Sequence, residues 1–330
     1  MKRVIITVML IGILLLVEGC AKKQDSSIQV RVAYFPNITH SQALVMKDQK
    51  SLESKLGDTC KVSWYSFNAG PSEIEAMFAG KIDLGYIGPV PAINANVKSK
   101  GDVKIIANAC DGGAVLLKSK EADINSVSDF DGKTVAVPQL GNTQHLCLLN
   151  LLMESGLSVK SEGGSVEVVA VSYADMQGML EQGQIDAALV PEPWGSILEE
   201  KCGAKLILDY DEIFASGAYP TTVLIVNNDF YKRHKDIVQA FLEVHKETTD
   251  YIKNHKDETI ETVNSQLEEI TGNKIDINII KHAFERLNFT EKISENAINE
   301  LSKIALEQGF ISKMPTIKDY IETSVTEDKE

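Results

Sequence analysis

The chain has 330 residues with 44% hydrophobic content, long enough for two domains with buried cores. Its formal net charge is −14 at pH 7 and no basic stripe runs along it, which argues against nucleic acid as a partner. No two of its five cysteines stand at C-x-x-C spacing, so neither a zinc site nor a redox motif is indicated.

Residues 1–19 read as a signal peptide: Lys2 and Arg3 open it, and Val4 to Val17 is an almost unbroken apolar run, short for a membrane span. Val17-Glu18-Gly19-Cys20 resembles a bacterial lipoprotein processing site, which makes Cys20 the expected lipidated residue and residues 20–27 a polar tether. Export permits disulfides among Cys60, Cys110, Cys147 and Cys202, with three complete pairings open. Cys147 falls in a helical run and reads as a buried small apolar residue.

Gln29 to Tyr34 alternates and reads as the first strand, followed by the loop Phe35-Pro36-Asn37-Ile38-Thr39-His40. A helix through Ala43, Leu44 and Met46 follows, capped by Thr39 or Ser41. Lys61 to Phe67 is the second strand and leads into Asn68-Ala69-Gly70. Pro71 then suits a first helical position, and Glu73 and Glu75 suit a first turn facing the helix dipole. Gly80 ends that helix, Ile82 to Ile87 forms a buried strand, and Gly88-Pro89-Val90-Pro91 stops it. Val103 to Ala109 is another strand, and Asp111-Gly112-Gly113 marks a crossing between lobes.

Beyond the crossing, Thr134 to Val137 is a strand that runs into Pro138 to His145, and a helix carrying Leu146, Leu149 and Leu152 follows. Val166 to Val171 is a strand, and Ser172 to Asp175 has capping-box spacing. Ala174 to Trp194 then repeats the earlier design: aligned on Gly80 and Gly183, both copies read Gly-x-Ile-Asp, a short strand and a proline-bounded loop. Two copies so far apart imply two α/β lobes of similar build, with strands alternating with helices in largely parallel sheets. Ligands of such sheets sit beyond the carboxyl ends of the strands, so Gly88-Pro89 and Pro191 to Trp194 are expected to face each other across a cleft. Phe214 to Thr222 is the expected return crossing, and the chain from Asn228 onward reads as packing helices without chemistry of their own.

The ordered set Phe35 to His40, Gly70-Pro71 with Ile82-Asp83 and Gly88-Pro89, Gly141 to His145, Glu192-Pro193-Trp194 and Tyr219 to Thr222 resembles the solute-binding lipoproteins of ABC importers, in the aliphatic sulfonate, taurine and nitrate group. The resemblance spans nearly the whole mature chain. It implies a two-lobed, type II periplasmic-binding-protein-like α/β fold, with residues 28–113 and 219–330 in lobe 1, residues 114–218 in lobe 2, and lobe closure on a ligand. It also implies delivery to permease and ATPase subunits by a monomer that is exported and lipid-anchored at the outer face of the cell membrane or on its periplasmic side, with no cofactor and no metal. The ligand-binding positions it suggests are Asn37, His40, Ser72, Gly88, Pro89, Asn142, Thr143, Gln144, Glu192, Trp194 and Tyr219.

The residues themselves fit anion capture, because helices start directly after these loops and their free N–H groups attract anionic oxygen. Simple helix capping by Asn142 and Thr143 fits them equally. The arginines are Arg3, Arg31, Arg233 and Arg286, and none falls in a candidate loop. No guanidinium clamp is therefore evident, which speaks against a multiply charged ligand. With no cation in the loops to pair it, Glu192 has two readings: it turns away and accepts backbone N–H bonds at the start of the helix Pro193–Cys202, or it receives an amine carried by the ligand, and the second is the expectation. No catalytic motif is found, so an enzyme is not expected. Pyrimidine or flavin binders of the same fold, an enzyme of that fold and an adhesive or sensory surface module are the competing readings. Two acyl chains bury enough CH₂ groups for stable anchoring, at about 0.8 kcal/mol each. Cys20→Ser should therefore move the protein from the membrane fraction to the soluble extracytoplasmic fraction on cell fractionation, and equal solubility of the two forms would disprove the anchor.

Overall fold

The computed structural model describes residues 27–214 and 219–321. The signal segment, Cys20 and residues 215–218 of the expected return crossing lie outside the described residues.

The strands in chain order are β1 (Ile28–Tyr34), β2 (Cys60–Ser66), β3 (Leu84–Ile87), β4 (Val103–Gly112), β5 (Ala114–Lys118), β6 (Thr134–Val137), β7 (Glu167–Ala170), β8 (Ala187–Pro191), β9 (Lys205–Leu208), β10 (Pro220–Asn227) and β11 (Leu287–Phe289). The helices are α1 (Ser41–Gln49), α2 (Ser51–Leu56), α3 (Gly70–Phe78), α4 (Pro89–Ser99), α5 (Thr143–Glu154), α6 (Tyr173–Glu181), α7 (Trp194–Cys202), α8 (Asn228–Arg233), α9 (Lys235–Asn254), α10 (Lys256–Thr271), α11 (Ile277–Glu285) and α12 (Glu295–Glu307). They build two lobes, one on a sheet of order β11-β4-β10-β3-β1-β2 and one on a sheet of order β7-β6-β8-β5-β9.

The repeated segments occupy matching places in the two sheets. β1 pairs in parallel with β3, and β6 pairs in parallel with β8. Gly80 and Gly183 both adopt the left-handed conformation, at φ +67 and +66. Asp83 accepts the Arg31 backbone N–H at 2.9 Å, and Asp186 accepts the Thr134 backbone N–H at 2.8 Å. Each aspartate thus ties the strand that begins after it to the first parallel strand of its own sheet. They are structural ties, not a carboxylate pair.

The sheets are mixed. β10 runs antiparallel between β4 and β3, and β5 runs antiparallel between β8 and β9. The reason is topological. A strand that arrives from the other lobe enters its sheet at the cleft end, so it runs against strands that leave toward the cleft. β10 continues past the expected crossing into residues 223–227, and β11 lies in a region that reads as wholly helical. Its three residues pair with β4 from Cys110 to Gly112, so a tertiary partner decides a segment too short to carry its own signal.

Gly112, the last residue of β4, and Gly113, between β4 and β5, have φ +72 and +70. A Cβ on Gly112 would lie 2.8 Å from the Arg286 carbonyl, and one on Gly113 would lie 2.2 Å from Leu287. The outward crossing therefore needs glycine both for its left-handed turns and for the close approach of the chain entering β11. α9, α10 and α11 cover one face of the first sheet through Phe241, Val263 and Ile280. α12 packs against both α4 and α5, so one apolar core runs from the first lobe into the second. Cys60, Cys110, Cys147 and Cys202 are free thiols, with Cys110 and Cys147 buried.

Glu73 stands in the first turn of α3 as expected, and it is fully buried there with neither carboxylate oxygen hydrogen-bonded. A Cβ on Gly85 would meet its Oε1, so the absence of a side chain on β3 makes the room. Burial pushes the Glu73 pKa well above its ordinary 4.5. A carboxyl shifted upward on folding is favoured while protonated, and that contribution is lost as pH climbs from 4.5 toward the folded pKa. Glu73→Met should therefore raise stability by about 1–3 kcal/mol at pH 7. The gain should shrink in denaturant titrations as pH falls toward 4.5, and a constant gain at every pH would rule out this origin.

Candidate functional site

Between the lobes lies a narrow cavity. The first lobe lines it with the loop after β1, through Phe35, Asn37, Thr39 and His40, with Asn68, Ala69 and Gly70 at the start of α3, with Gly88 and Pro91 at the start of α4, and with Thr221 of β10. The second lobe contributes Asn142, Thr143 and Gln144 at the start of α5, Tyr173 at the start of α6, and Pro191 at the end of β8. Helix starts from both lobes thus converge, and each brings N–H groups with no intrahelical partner. Asp, Glu, Lys and Arg are absent from the described residues that line the cavity.

The local geometry turns polar side chains into neutral donors. The Asn37 side-chain carbonyl accepts the Thr39 N–H at 2.8 Å, and the Asn142 side-chain carbonyl accepts the His145 N–H at 2.8 Å. Capping by the carbonyl leaves the amide nitrogen of each side chain as its donor end. His40 Nδ1 accepts the Phe35 N–H at 3.2 Å, so the ring proton sits on Nε2. Burial drives the His40 pKa down to about 3, and that of His145 to about 4. Neither histidine supplies positive charge near neutrality. Burial likewise pushes the Tyr173 phenol upward, which keeps its O–H as a donor.

The lobes touch where Thr143 meets the start of α4. Val90 N–H lies 3.4 Å from Thr143 Oγ1, and a Cβ on Gly88 would lie 2.6 Å from the same oxygen. Gly88 therefore serves by having no side chain, since an alanine there would hold the two helix starts apart.

Of the positions singled out from sequence, Asn37, His40, Gly88, Asn142, Thr143 and Gln144 come together at the cavity. Others do not. Ser72 is exposed and donates to the Ala69 carbonyl at 2.8 Å. Pro89 is buried in the first turn of α4, and Tyr219 is fully buried with its ring 5.6 Å from that of Phe214. Trp194 stands outside the cavity lining and stacks on Tyr173, with ring centroids 4.6 Å apart and planes 3° apart. The thiol of Cys20 lies outside the described residues. Tyr173 is the main lining residue that sequence reading missed. Its signal was an aromatic residue three positions beyond the carboxyl end of β7, inside a segment read only as a helix cap.

Glu192 is a correction. It is fully buried, but not unpaired and not in the cavity. Its Oε1 lies 2.6 Å from Arg286 Nη1 and accepts the Ser196 hydroxyl at 3.0 Å, while its Oε2 accepts the Ser196 N–H at 2.9 Å. Arg286 follows α11, in the stretch expected to carry no chemistry. Its Nη1 also lies 2.7 Å from Glu199 of α7, and its Nε lies 3.0 Å from Asp209. One guanidinium of the first lobe thus binds three carboxylates of the second. Burial opposes the charge on Arg286, but the hydrogen bonds to Glu199 and Glu192 outweigh it and raise its pKa. Burial raises the Glu192 pKa against the opposing pull of Ser196 and Arg286. With its carboxylate committed in this way, Glu192 follows the reading in which it accepts N–H at the start of its own helix, and it does not receive a ligand amine.

A model of the NMT1-like family matches residues 23–266. The chain belongs to this family. Among curated relatives, the taurine-binding periplasmic protein of Escherichia coli (strain K12) is 28% identical over 66% of this chain and 64% of its own. The chain thus spans less than two thirds of that relative's length. A putative aliphatic sulfonates-binding protein of the same organism is 24% identical over 78% of this chain and 77% of its own. Among solved structures, the alkanesulfonate-binding protein of Xanthomonas axonopodis pv. citri bound to MOPS has a TM-score of 0.75 at 20% identity, covering 90% of this chain and 99% of its own. That likeness establishes the shared periplasmic-binding-protein fold.

Arg286→Met should cost about 3–5 kcal/mol of stability in denaturant titrations, because Glu192 is left buried without its cation. Adding Glu192→Gln should recover most of that loss, since Glu199 and Asp209 are nearer to solvent. A double variant as unstable as the single one would show that the guanidinium acts by packing.

Proposed function

We propose that the protein is the extracytoplasmic solute-binding component of an ABC importer. It is exported, held at the membrane through Cys20, and hands a small sulfonate-type anion to permease subunits. Lobe 1 comprises residues 28–113 and 219–330, and lobe 2 comprises residues 114–218. The observation that carries this reading is a cavity where helix starts from both lobes converge with Asn37, His40, Asn142 and Thr143, all neutral donors. Neutral donors and helix dipoles stabilise a single negative charge spread over several oxygens. The lack of a lining cation disfavours a multiply charged ligand, and the lack of a lining carboxylate gives an ammonium group no partner. The site therefore fits an alkanesulfonate better than a zwitterion such as taurine. The names of the relatives support the same class of solute.

Calorimetry on the protein lacking residues 1–20 tests this with ethanesulfonate, taurine, nitrate and a pyrimidine. Ethanesulfonate should bind most tightly and should compact the protein in solution scattering. Thr143→Val should weaken it tenfold or more, as expected for one hydrogen bond to a charged group, worth about 1.5–3 kcal/mol. Gly88→Ala should weaken it as well and reduce the compaction. Tight binding of the pyrimidine with no binding of any anion would refute the proposal.

A further inference from the structure

The chain carries a net charge of −14, yet one surface groove of the first lobe is lined by Lys100, Lys104, Lys313 and Lys318, with no Asp or Glu among the described residues of its lining. Two distant segments meet there. Lys100 caps the C-terminal end of α4 in the left-handed conformation, and Lys104 stands near the start of β4. Lys313 and Lys318 follow α12, in a segment held against β4 by the bridge between Ile321 and Ile105. Lys100, Lys313 and Lys318 are exposed and take part in no ion pair among the described residues. Like charges gathered in this way repel one another, and an anion in the groove relieves that repulsion.

The place of the groove in the fold identifies the anion. β1 is parallel to β3, β3 is antiparallel to β10, and β10 is antiparallel to β4. β4 therefore starts at the same end of the sheet as β1, away from the cleft. β1 lies three strands from β4, a lateral distance of about 14 Å. The segment from Cys20 to Ser27 spans up to about 25 Å when extended. A chain held at Cys20 can thus bring the groove to the bilayer that holds it. We infer that this groove docks on the phosphate headgroups of an anionic membrane, which sets the base of the first lobe against the bilayer and turns the cleft away from it. The choice of partner rests on the Cys20 anchor proposed above. Tethering keeps the headgroups at high local concentration, so a weak attraction is enough to orient the protein.

The test is flotation of the chain lacking residues 1–20, which keeps every described residue, with vesicles of phosphatidylcholine alone or mixed with phosphatidylglycerol. At about 0.1 M ionic strength, charges more than about 10 Å from the surface are screened, which mutes the acidic remainder of the protein. The protein should float with the phosphatidylglycerol vesicles and not with phosphatidylcholine. Each groove lysine lost should weaken binding about fivefold, so the combined Lys100→Gln, Lys313→Gln and Lys318→Gln variant should bind about a hundredfold more weakly. A control variant with Lys120→Gln, Lys160→Gln and Lys246→Gln, all exposed and far apart in sequence, changes the net charge equally and should lose little. Equal losses in the two variants would make net charge the cause and overturn the groove. Flotation with neither vesicle would overturn it as well. So would flotation only after removal of residues 322–330, which carry Glu322, Glu327, Asp328 and Glu330, since the groove would then belong to that segment. Calorimetry showing inorganic phosphate bound, with no flotation, would make the groove a small-anion site and overturn membrane docking. None of these outcomes needs an acyl chain, so the Cys20 anchor stands or falls separately by cell fractionation.

Discussion

The contact on which the rest depends is the ion cluster around Arg286. A guanidinium that is 7% exposed reaches from the first lobe into three carboxylates of the second, one of them, Glu192, fully buried. Desolvating such charges is expensive, and only close geometry with further hydrogen bonds offsets it. Here the Ser196 N–H and hydroxyl supply those bonds. The cluster stands beside Gly112, whose missing Cβ lets the Arg286 backbone approach. It thus couples the relative placement of the lobes to the crossing itself. It also withdraws a carboxylate from the end of β8, which leaves the adjoining cavity without fixed charge.

That neutrality sets the chemistry of the cleft. His40 and His145 are kept neutral by burial, and each uses Nδ1 to accept a backbone N–H, from Phe35 and Gly141. Asn37 and Asn142 spend their carbonyls on helix starts, one in each lobe. Capping and ligand contact are therefore not rival roles here. The cap turns the acceptor end of the amide inward and leaves its donor end for a solute.

The two lobes solve the same problem twice. In each, a left-handed glycine and an aspartate set a strand against the first parallel strand, and the loop beyond that strand reaches the cleft. At the cleft itself the two loops differ. Gly88 is bare because Thr143 of the other lobe must come close, whereas Pro191 leads into Glu192, which turns back to its own helix and to Arg286.

The repeated Gly-x-Ile-Asp segments, the two-lobed α/β plan, the outward crossing at Gly112-Gly113 and six of the cavity residues were legible in the sequence. The first three depend on local causes, namely hydrophobic period, helix starts after strands, and glycines where φ is positive, whereas the six cavity residues were positions implied by the family resemblance. The family resemblance supplied the order in which those loops would meet. What the sequence did not carry depends on partners far away along the chain. Glu192 is neutralised by a residue 94 positions away. Glu73 turns inward because Gly85 leaves room, and β11 exists because β4 offers an edge. The antiparallel course of β10 and β5 stems from where each crossing enters its sheet. Tertiary structure decided these points because charge pairing, burial and edge pairing are set by distance in space, which local pattern does not encode.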